Sequence, residues 1–543
     1  MAATALAESR QLRYAIWTLT HPSRPLPLIH LFTVVCVTLL LGGVASAISM
    51  SAGVADAYGD ATHHLAIARR VFDSQTPGFA QLGTVWLPLP HIIFMPLVAI
   101  TPLFWNGAAG AIVGAACLLV SSLTVFLIAW RSTGRALAGY VAVVVLLANP
   151  NLLYLQSSGM TEPLSIAVLC VQAYAMMRWV HRQSVGDLLL LAVITATGVS
   201  IRYDGWFVSV VITAIVIAVT LTQWRNEERA TANGITVFAG SAFVMGLWFF
   251  YNWLIFGNPL EFQNGALAPA TQAAELGTIG ATKWHLVTST YTYITAVYEN
   301  LGPIVVGLGV VTIVWATVSR FHDSAIWALL VLGAAAAFNI VSLVLGQSTI
   351  LTAYTEPPGN LNIRYGIQAL PMVATACGLV VGATRGRILR RLIAVAIVLT
   401  IGAQTVLNVM QGPASIRTLA EATRDHATIQ GAIDAANWYR DHRAPEDVGL
   451  FYTLATSESA RFFMHGRTPI RSFVTENNAG IWKQAMEDPG KYVDWLVIPP
   501  TFPGRNDPVR GLLTNGELVT QTARFKRVEA VSGWEFYRRS PIR

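Results

Sequence analysis

Two carboxylates and two histidines lie close together just after the first long apolar run of the sequence, within residues 54–96. The acids are Asp56 and Asp60, and His63 and His64 follow them. A carboxylate can accept a proton from an attacking hydroxyl group, and an imidazole can hydrogen-bond to a polar ligand. Because ionisable groups beside a membrane span are costly and usually functional, this stretch is the first place to expect catalysis.

Asp60 is the favoured candidate for a catalytic base, and Asp56 is the alternative. Helical spacing places Asp60, His64 and Ile67 on one side of a predicted interfacial helix. The opposite face is expected to contact the membrane and consists of Leu65, Ala68 and Phe72. The structural alternative for Asp60 is an N-cap, since aspartate is favoured at that position.

The composition is that of a polytopic membrane protein. Of 543 residues, 54% are hydrophobic and only 12% are charged, with a mean hydropathy of +0.52. A soluble domain carries about a quarter charged residues. The formal net charge of +7 comes from arginines in short clusters between apolar runs, which orients a membrane protein and calls for no nucleic-acid partner. The four cysteines lie within apolar runs and are interpreted as packing residues.

We predict a polytopic α-helical membrane protein of about eleven transmembrane helices. The predicted spans are residues 28–50, 108–130, 136–150, 161–179, 186–201, 205–222, 233–254, 300–318, 324–346, 366–384 and 389–409. The proline-rich run 87–105 is interpreted as lying on or dipping into the outer face. With that choice, arginines concentrate in the cytoplasmic loops, the N-terminus is cytoplasmic and the tail is extracytoplasmic.

Two domains are predicted. Residues 1–411 form the transmembrane module, with a first outward loop at 51–107, and residues 412–543 form a small extracytoplasmic α/β domain. In the second domain we predict a helix over 427–442 and strands over 448–453, 495–499 and 534–538. A lid, acceptor-binding or packing role is expected for it.

Further ionisable residues stand at the predicted outward ends of the spans. They are Glu162, Arg202, Asp204, Glu261, Glu356 and Arg364. Charges at that depth cost several kcal/mol unless they are paired or hydrated. Together with Asp56 and Asp60, they predict a polar cavity that opens outward.

Several short motifs, taken in order over residues 28–410, resemble those of the GT-C glycosyltransferases. The most similar branch contains the protein O-mannosyltransferases and the aminoarabinose or sugar transferases that use polyprenyl-phosphate donors. Asp60 matches the branch's first acid, Ala61 replaces its second acid, and His64 takes the position of its tyrosine. The other matching segments are Ala68-Arg69, Trp86–His91, Thr161–Leu164, Arg202–Trp206, Tyr251–Leu260 and Asn362–Gly366.

The resemblance implies an inverting glycosyltransferase of the plasma (inner) membrane. Its donor would be a polyprenyl-phosphate monosaccharide, with mannose the favoured sugar, and its acceptor a cell-envelope glycan, lipid or protein. Asp60, or else Asp56, would be the base, and Arg364 with Arg202 would bind the donor phosphate. The residues expected to bind substrate are His63, His64, Glu162, Asp204, Trp86, His91 and Tyr365.

Structural alternatives stay open for three of these residues. Arg364 could be a snorkelling anchor, Arg202 could form a local ion pair with Asp204, and Glu162 could cap its helix. No cofactor is expected. A divalent metal held by His63 and His64 with the two acids, and with His91 as a further ligand, is disfavoured, because adjacent histidines on a helix diverge by about 100°.

Three other functions compete with this one. A pyrophosphate-carrier-dependent oligosaccharyltransferase would depend on a metal. A transporter or flippase of lipid-linked sugars would place polar groups near the midplane in paired halves, which the sequence does not show. A non-catalytic scaffold is the third.

Overall fold

The computed structural model describes residues 27–265, 268, 271, 279–319, 324–500, 506–520 and 523–541. The predicted cytoplasmic N-terminal segment, with Arg10, Arg13 and Arg24, lies outside the described residues, as does Arg320. All four cysteines are free, and Cys117, Cys170 and Cys377 are buried in the helix bundle, which agrees with a packing role.

Eight helices in the described part of the chain are long and apolar enough to cross a membrane. They are Leu28–Ser51, Ala108–Thr133, Glu162–Arg182, Asp204–Trp224, Glu227–Phe256, Ser324–Val344, Ile363–Ala383 and Arg387–Met410. Within Ile363–Ala383, a 3-10 turn, Ile363–Ala369, leads into the α-helix Leu370–Ala383.

Two bent pairs of helices raise the number of spans to ten if each pair crosses once. Ala136–Leu147 and Pro150–Gln156 meet at 73°, and Leu286–Leu301 and Pro303–Ser319 meet at 114°. The first bend follows from Pro150 at the helix start, where Asn149 caps the new helix by accepting from the Leu152 N–H at 3.1 Å. The predicted span 186–201 corresponds to the helix Val185–Gly198, which has 14 residues and is shorter than the other spans.

The first outward loop folds into short helices that are too short to cross a membrane. They are Gly59–Arg70, the 3-10 turn Phe79–Leu82, Leu89–Val98 and Thr101–Trp105. The apolar run 87–105 is broken into two short helices, as the sequence predicts. Pro88, Pro90 and Pro102 lie at the helix starts, whereas Pro96 lies inside Leu89–Val98. Other short helices between the spans are Glu261–Asn264 and Ile279–Thr282.

The segment after the last span forms a sheet domain. Its strands are β1 (Gly449–Phe451), β2 (Phe473–Val474), β3 (Trp495–Ile498), β4 (Leu518–Val519), β5 (Ala523–Val531) and β6 (Trp534–Pro541), in the order β2-β1-β3-β6-β5-β4. The β1 strand pairs in parallel with β2 and β3, and the other pairs are antiparallel. The helices are Arg417–Ala422, His426–His442, Ser459–His465, Ala479–Glu487 and Pro489–Tyr492, with 3-10 turns Pro413–Ser415, Thr453–Ala455, Ile470–Ser472 and Arg510–Leu512.

The predicted helix and the three predicted strands of this domain are confirmed within a few residues, whereas β5 was not predicted. Its burial alternates only at its start, and most of the strand is exposed, so its sequence carries little apolar signal.

The sheet domain packs directly on the first outward loop. Helix Gly59–Arg70 shares an apolar core with Leu89–Val98 and with helix Ser459–His465. The prediction that Leu65 and Ala68 face the membrane is therefore wrong, because these residues are 1% and 0% exposed against protein. Phe72, the third member of that face, is 41% exposed.

Candidate active site

Asp60 lies in the first turn of helix Gly59–Arg70, at the outward end of the bundle. The N-cap residue of this helix is Tyr58, so the N-cap alternative for Asp60 is wrong. The Asp60 side chain is 41% exposed, and its Oδ2 accepts from Nη2 of Arg364 at 2.6 Å. An exposed carboxylate is thus held in place by a guanidinium that is only 7% exposed.

Arg364 lies at the centre of a group of carboxylates. Besides Asp60, its Nε donates to Oε1 of Glu162 at 3.2 Å and its Nη1 donates to Oε1 of Glu421 at 2.8 Å. Three acids from three distant parts of the chain therefore share one guanidinium. Such a buried cation is stable only when it is paired and hydrogen-bonded in this way.

The backbone around Arg364 is fixed by close packing of the 3-10 turn Ile363–Ala369 on helix Leu286–Leu301. A Cβ atom at Gly366 would overlap the carbonyl group of Ala296. Asn300 also donates to the Ile363 carbonyl at 2.6 Å. Glycine at 366 is thus required by this approach, which places Arg364, two residues earlier, against the bundle.

Arg202 extends the charged network into the bundle. Its Nη1 donates to Oε1 of Glu162 at 2.9 Å and to Thr161 at 3.1 Å, and its Nε lies 3.6 Å from Asp204. Burial alone would lower the pKa of Arg202, but the Glu162 and Asp204 carboxylates raise it above its usual value. Asp204 in turn accepts from Gln368 at 2.5 Å. Arg202 therefore lies in a local ion pair with Asp204, and it also shares the Glu162 carboxylate with Arg364.

Two aromatic rings lie against the guanidinium groups. The Tyr365 ring centroid is 5.1 Å from Cζ of Arg202 and 5.2 Å from Cζ of Arg364. Cζ of Arg364 also lies over the Tyr58 ring, 5.2 Å from its centroid. These cation–π contacts orient the guanidinium planes.

The charge balance of the network is negative. Four carboxylates, those of Asp60, Glu162, Asp204 and Glu421, face the two guanidinium groups of Arg202 and Arg364. With every group ionised, two negative charges are left over. Oε2 of Glu162 is buried and has no hydrogen-bond partner in the part of the chain that the structure describes.

Sequence reasoning missed Glu421 and Tyr58. Glu421 belongs to helix Arg417–Ala422, beyond the last span. It accepts from the backbone N–H of Asn362 at 2.6 Å and from the Tyr58 hydroxyl at 3.1 Å. Burial raises the pKa of Glu421, and Arg364 partly offsets this. Burial and the Glu421 charge raise that of Tyr58. No spacing or motif distinguishes Glu421 from the other charges of its segment.

Three of the predicted substrate-binding residues form an aromatic group beside the arginines, in which His64 and His91 are buried and Trp86 is half-buried. Nδ1 of His64 and Nε2 of His91 are 3.0 Å apart, and the His64 ring is 4.4 Å from that of Trp86. Burial, together with Arg202, His63 and Arg364, lowers the pKa of His64 to about 3. Burial and the His64 charge lower that of His91. Both rings are therefore neutral at pH 7.

His63 points away from this pair. Its Nδ1 contacts the Gly59 carbonyl at 2.8 Å and its Nε2 the Ser459 hydroxyl at 3.3 Å. Among the described residues, no group of three or more His, Cys, Asp or Glu side chains is arranged to hold a metal ion.

Three acids that were expected at the cavity lie elsewhere. Asp56 accepts from Nε2 of His465 in the sheet domain at 2.6 Å. Burial would raise the pKa of Asp56, but this bond and the Arg461 charge lower it. Glu261 contacts Asn258, and Glu356 is exposed on the loop before Arg364. The sequence predicts the same side of the membrane for all of these acids, so it could not distinguish them from Asp60 and Glu162, which contact Arg364.

The chain is similar to known membrane glycosyltransferases over most of its length. The family model described as dolichyl-phosphate-mannose-protein mannosyltransferase matches residues 93–251. The structure of ArnT from Cupriavidus metallidurans bound to undecaprenyl phosphate superposes with a TM-score of 0.59 at 12% identity, covering 93% of this chain and 97% of that one. The apo state of the same ArnT gives 0.57 at 13% identity over the same shares. No curated protein matches the sequence.

The fold is therefore that of the GT-C superfamily of integral-membrane glycosyltransferases. The predicted resemblance to this superfamily is confirmed, as is the polytopic helical architecture with a C-terminal sheet domain.

Proposed function

We propose that the chain is an inverting glycosyltransferase that moves a monosaccharide from a polyprenyl-phosphate donor to a hydroxyl acceptor at the outer face of the membrane. The observation that carries this proposal is the exposed Asp60 carboxylate held 2.6 Å from the buried Arg364 guanidinium. It combines an accessible base with a positive group in one place, and that pair is what the reaction needs.

Asp60 acts as the general base. One of its oxygens is held by Arg364, and the exposed side chain leaves the other open to an acceptor hydroxyl. As the acceptor oxygen bonds to the anomeric carbon, its proton passes to Asp60 and the bond from that carbon to the phosphate oxygen breaks. The bonding electron pair leaves with the lipid phosphate, and attack from the opposite face inverts the configuration.

Arg364 and Arg202 stabilise the departing phosphate. Arg364 has five N–H groups, of which the three nitrogens contact one carboxylate each, so further hydrogens remain for a phosphate oxygen. The complex of ArnT with undecaprenyl phosphate supports this type of lipid carrier for a chain of the same fold. A single negative charge on a donor phosphodiester would lie between the two guanidinium groups.

Glu162 is proposed to contact the sugar. Its Oε2 is buried without a hydrogen-bond donor among the described residues, and such an atom is costly unless a ligand supplies the donor. His64, Trp86, His91, Asp204 and Tyr365 are proposed to bind substrate from the wall around the two arginines, where Trp86 and Tyr365 are half-buried and the other three are buried. His63 lies at the junction with the sheet domain.

Mannose is the sugar we propose, supported by the description of the matching family. The acceptor is proposed to be a glycan, lipid or protein of the cell envelope. The same proposal places the protein in the plasma (inner) membrane with a cytoplasmic N-terminus and an extracytoplasmic sheet domain. A metal-independent reaction stays a prediction, which activity after chelation tests.

The test of this function is turnover of the purified protein with a panel of polyprenyl-phosphate sugars, comparing wild type with Asp60→Asn. We expect turnover by the wild type and a loss of at least about a hundredfold in the variant, the low end for removal of a general base.

Asp56→Asn is the matched control, because Asp56 is also an acid of the first outward loop but pairs with His465. Loss in Asp56→Asn with full activity in Asp60→Asn would move the base by four residues. Absence of turnover by the wild type with every donor would reject the proposed function.

A further inference from the structure

Glu421 reaches the candidate active site from outside the transmembrane module. Its helix, Arg417–Ala422, follows the last span, yet its side chain is only 5% exposed and lies against Arg364. One oxygen accepts from Nη1 of Arg364 and from the Asn362 N–H, and the other accepts from Tyr58. Both oxygens of this carboxylate therefore accept hydrogen bonds from the protein.

Glu421 and Asp60 compete for the same positive charge. The Arg364 guanidinium is planar and delocalised, and it contacts Asp60, Glu162 and Glu421 through different nitrogens. A base that was alone with an arginine at 2.6 Å would be strongly stabilised in its ionised form and would accept a proton poorly. Additional acids on the same cation reduce that effect.

We propose that Glu421 is a positioning residue that shares Arg364 with Asp60, so that Arg364 holds the base in place without fully neutralising it. The inference rests on the proposed function. It also gives the segment after the last span a part in setting the charge around the base, beyond a lid or packing role.

The groups that face this pair come from several elements. Asp60 is faced by Arg364 and Tyr365 from the turn 363–369 and by His63 from its own helix. Glu421 is faced by Arg364, by the backbone N–H of Asn362 and by Tyr58. From the bundle, Glu162 contacts Arg364, and Arg202 contacts Glu162.

Removing the charge of Glu421 should have two opposite effects. More of the Arg364 charge then acts on Asp60, so the base becomes weaker. At the same time the network carries one negative charge fewer, so an anionic donor should bind more tightly. Loss of a merely structural contact would instead weaken donor binding and lower turnover together.

The experiment compares wild type, Glu421→Gln, Glu421→Asp and Glu299→Gln in steady-state turnover over a range of pH, using the polyprenyl-phosphate sugar that the wild type accepts. Glutamine keeps the shape of Glu421 and its acceptor oxygen for Arg364. For Glu421→Gln we expect kcat to fall at least about threefold, donor KM to fall at least about twofold, and the acid limb of kcat/KM to move down by at least about half a pH unit.

Glu421→Asp keeps the charge and should keep the acid limb of the wild type while losing part of kcat. Glu299→Gln is the matched control. Glu299 pairs at 3.0 Å with Arg417 of the same helix and does not contact Arg364. Glu299 also accepts from the Ala353 N–H at 3.0 Å, so this variant tests the docking of that helix and of the loop at 353. Its pH profile should equal that of the wild type.

An acid limb that does not move in Glu421→Gln, or a donor KM that rises, would overturn the inference while Asp60→Asn still confirmed the function. The same changes in Glu299→Gln would assign the effect to helix docking and would also overturn it. A wild type that turns over no donor would reject the function and this inference together.

Discussion

At the scale of single residues, the main feature is that Asp60 belongs to a network of shared ion pairs. Arg364 contacts three carboxylates, Arg202 contacts Glu162 and lies near Asp204, and the His64–His91 pair is neutral. The electrostatics of the base therefore depend on a network and not on one contact. Substitution of any member redistributes charge over the others.

The buried histidine pair predicts acid sensitivity. His64 has a folded-state pKa of about 3, below its value in an unfolded chain, so acid favours the unfolded state. The contribution of neutral His64 to the free energy of unfolding is fully present above about pH 6.5 and is lost progressively as the pH falls toward 3. At pH 5 the cost from His64 alone is about 2 kcal/mol.

Thermal unfolding in detergent at pH 7.5 and pH 5 measures this effect. His64→Gln should show a smaller fall in Tm between the two pH values than the wild type. His442→Gln, at an exposed histidine that contacts the Trp438 carbonyl, should behave as the wild type. Equal falls in all three proteins would contradict the neutral assignment of His64.

At the scale of elements, the sheet domain packs against the first outward loop beside the candidate active site. It contacts the first outward loop through Asp56–His465 at 2.6 Å, Arg461 to the Ala57 carbonyl at 3.1 Å, and Asn478 to Thr76 at 2.9 Å. Helix Gly59–Arg70 is thus enclosed between the bundle and this domain. The position of Asp60 depends on both.

Arg461 is the residue of this junction whose loss should matter most. Its side chain is 1% exposed, and it pairs with Glu458 at 2.7 Å besides contacting the loop. Arg461→Ala leaves the Glu458 charge buried without its cation, which should destabilise the protein by about 3–5 kcal/mol.

Thermal unfolding again provides the measurement, with Arg440→Ala as the matched control. Arg440 pairs with Asp441 on the exposed face of the same domain, and such pairs contribute at most about 1 kcal/mol. A similar small change in Tm for both variants would show that the junction does not depend on the Arg461 pair.

At the scale of the whole molecule, sidedness connects the fold to the proposed reaction. The network, the first outward loop and the sheet domain all lie at one end of the bundle. The opposite end carries Arg131, Arg135, Arg178, Arg182, Arg225, Arg229, Arg385, Arg387, Arg390 and Arg391. From the positive-inside rule we expect the site to lie on the extracytoplasmic side.

Cysteine labelling of intact cells tests this orientation. Thr428→Cys lies on the exposed surface of helix His426–His442, and Gln223→Cys lies at the opposite end of the bundle, on helix Asp204–Trp224. A membrane-impermeant maleimide should label the first in intact cells and the second only after permeabilisation. The reverse pattern would place Asp60 in the cytoplasm and remove a lipid-borne donor of the outer leaflet from reach.

The sequence by itself predicted the helical membrane fold and the sheet domain, which the structure confirms, and it proposed Asp60, Glu162, Arg202 and Arg364 among the site residues. Apolar runs and their flanking arginines are local signals, because each segment that crosses the lipid must itself be apolar and is oriented by the charges beside it. The order of the motifs was enough to indicate the superfamily.

Only the tertiary structure decided which acids meet. Asp56 and Asp60 are four residues apart, yet one pairs with His465 and the other with Arg364. Glu421 joins Arg364 across 57 residues, and Leu65 and Ala68 are covered by protein instead of lipid. Ion pairing and burial depend on distances between remote segments, and no periodicity within one segment records them.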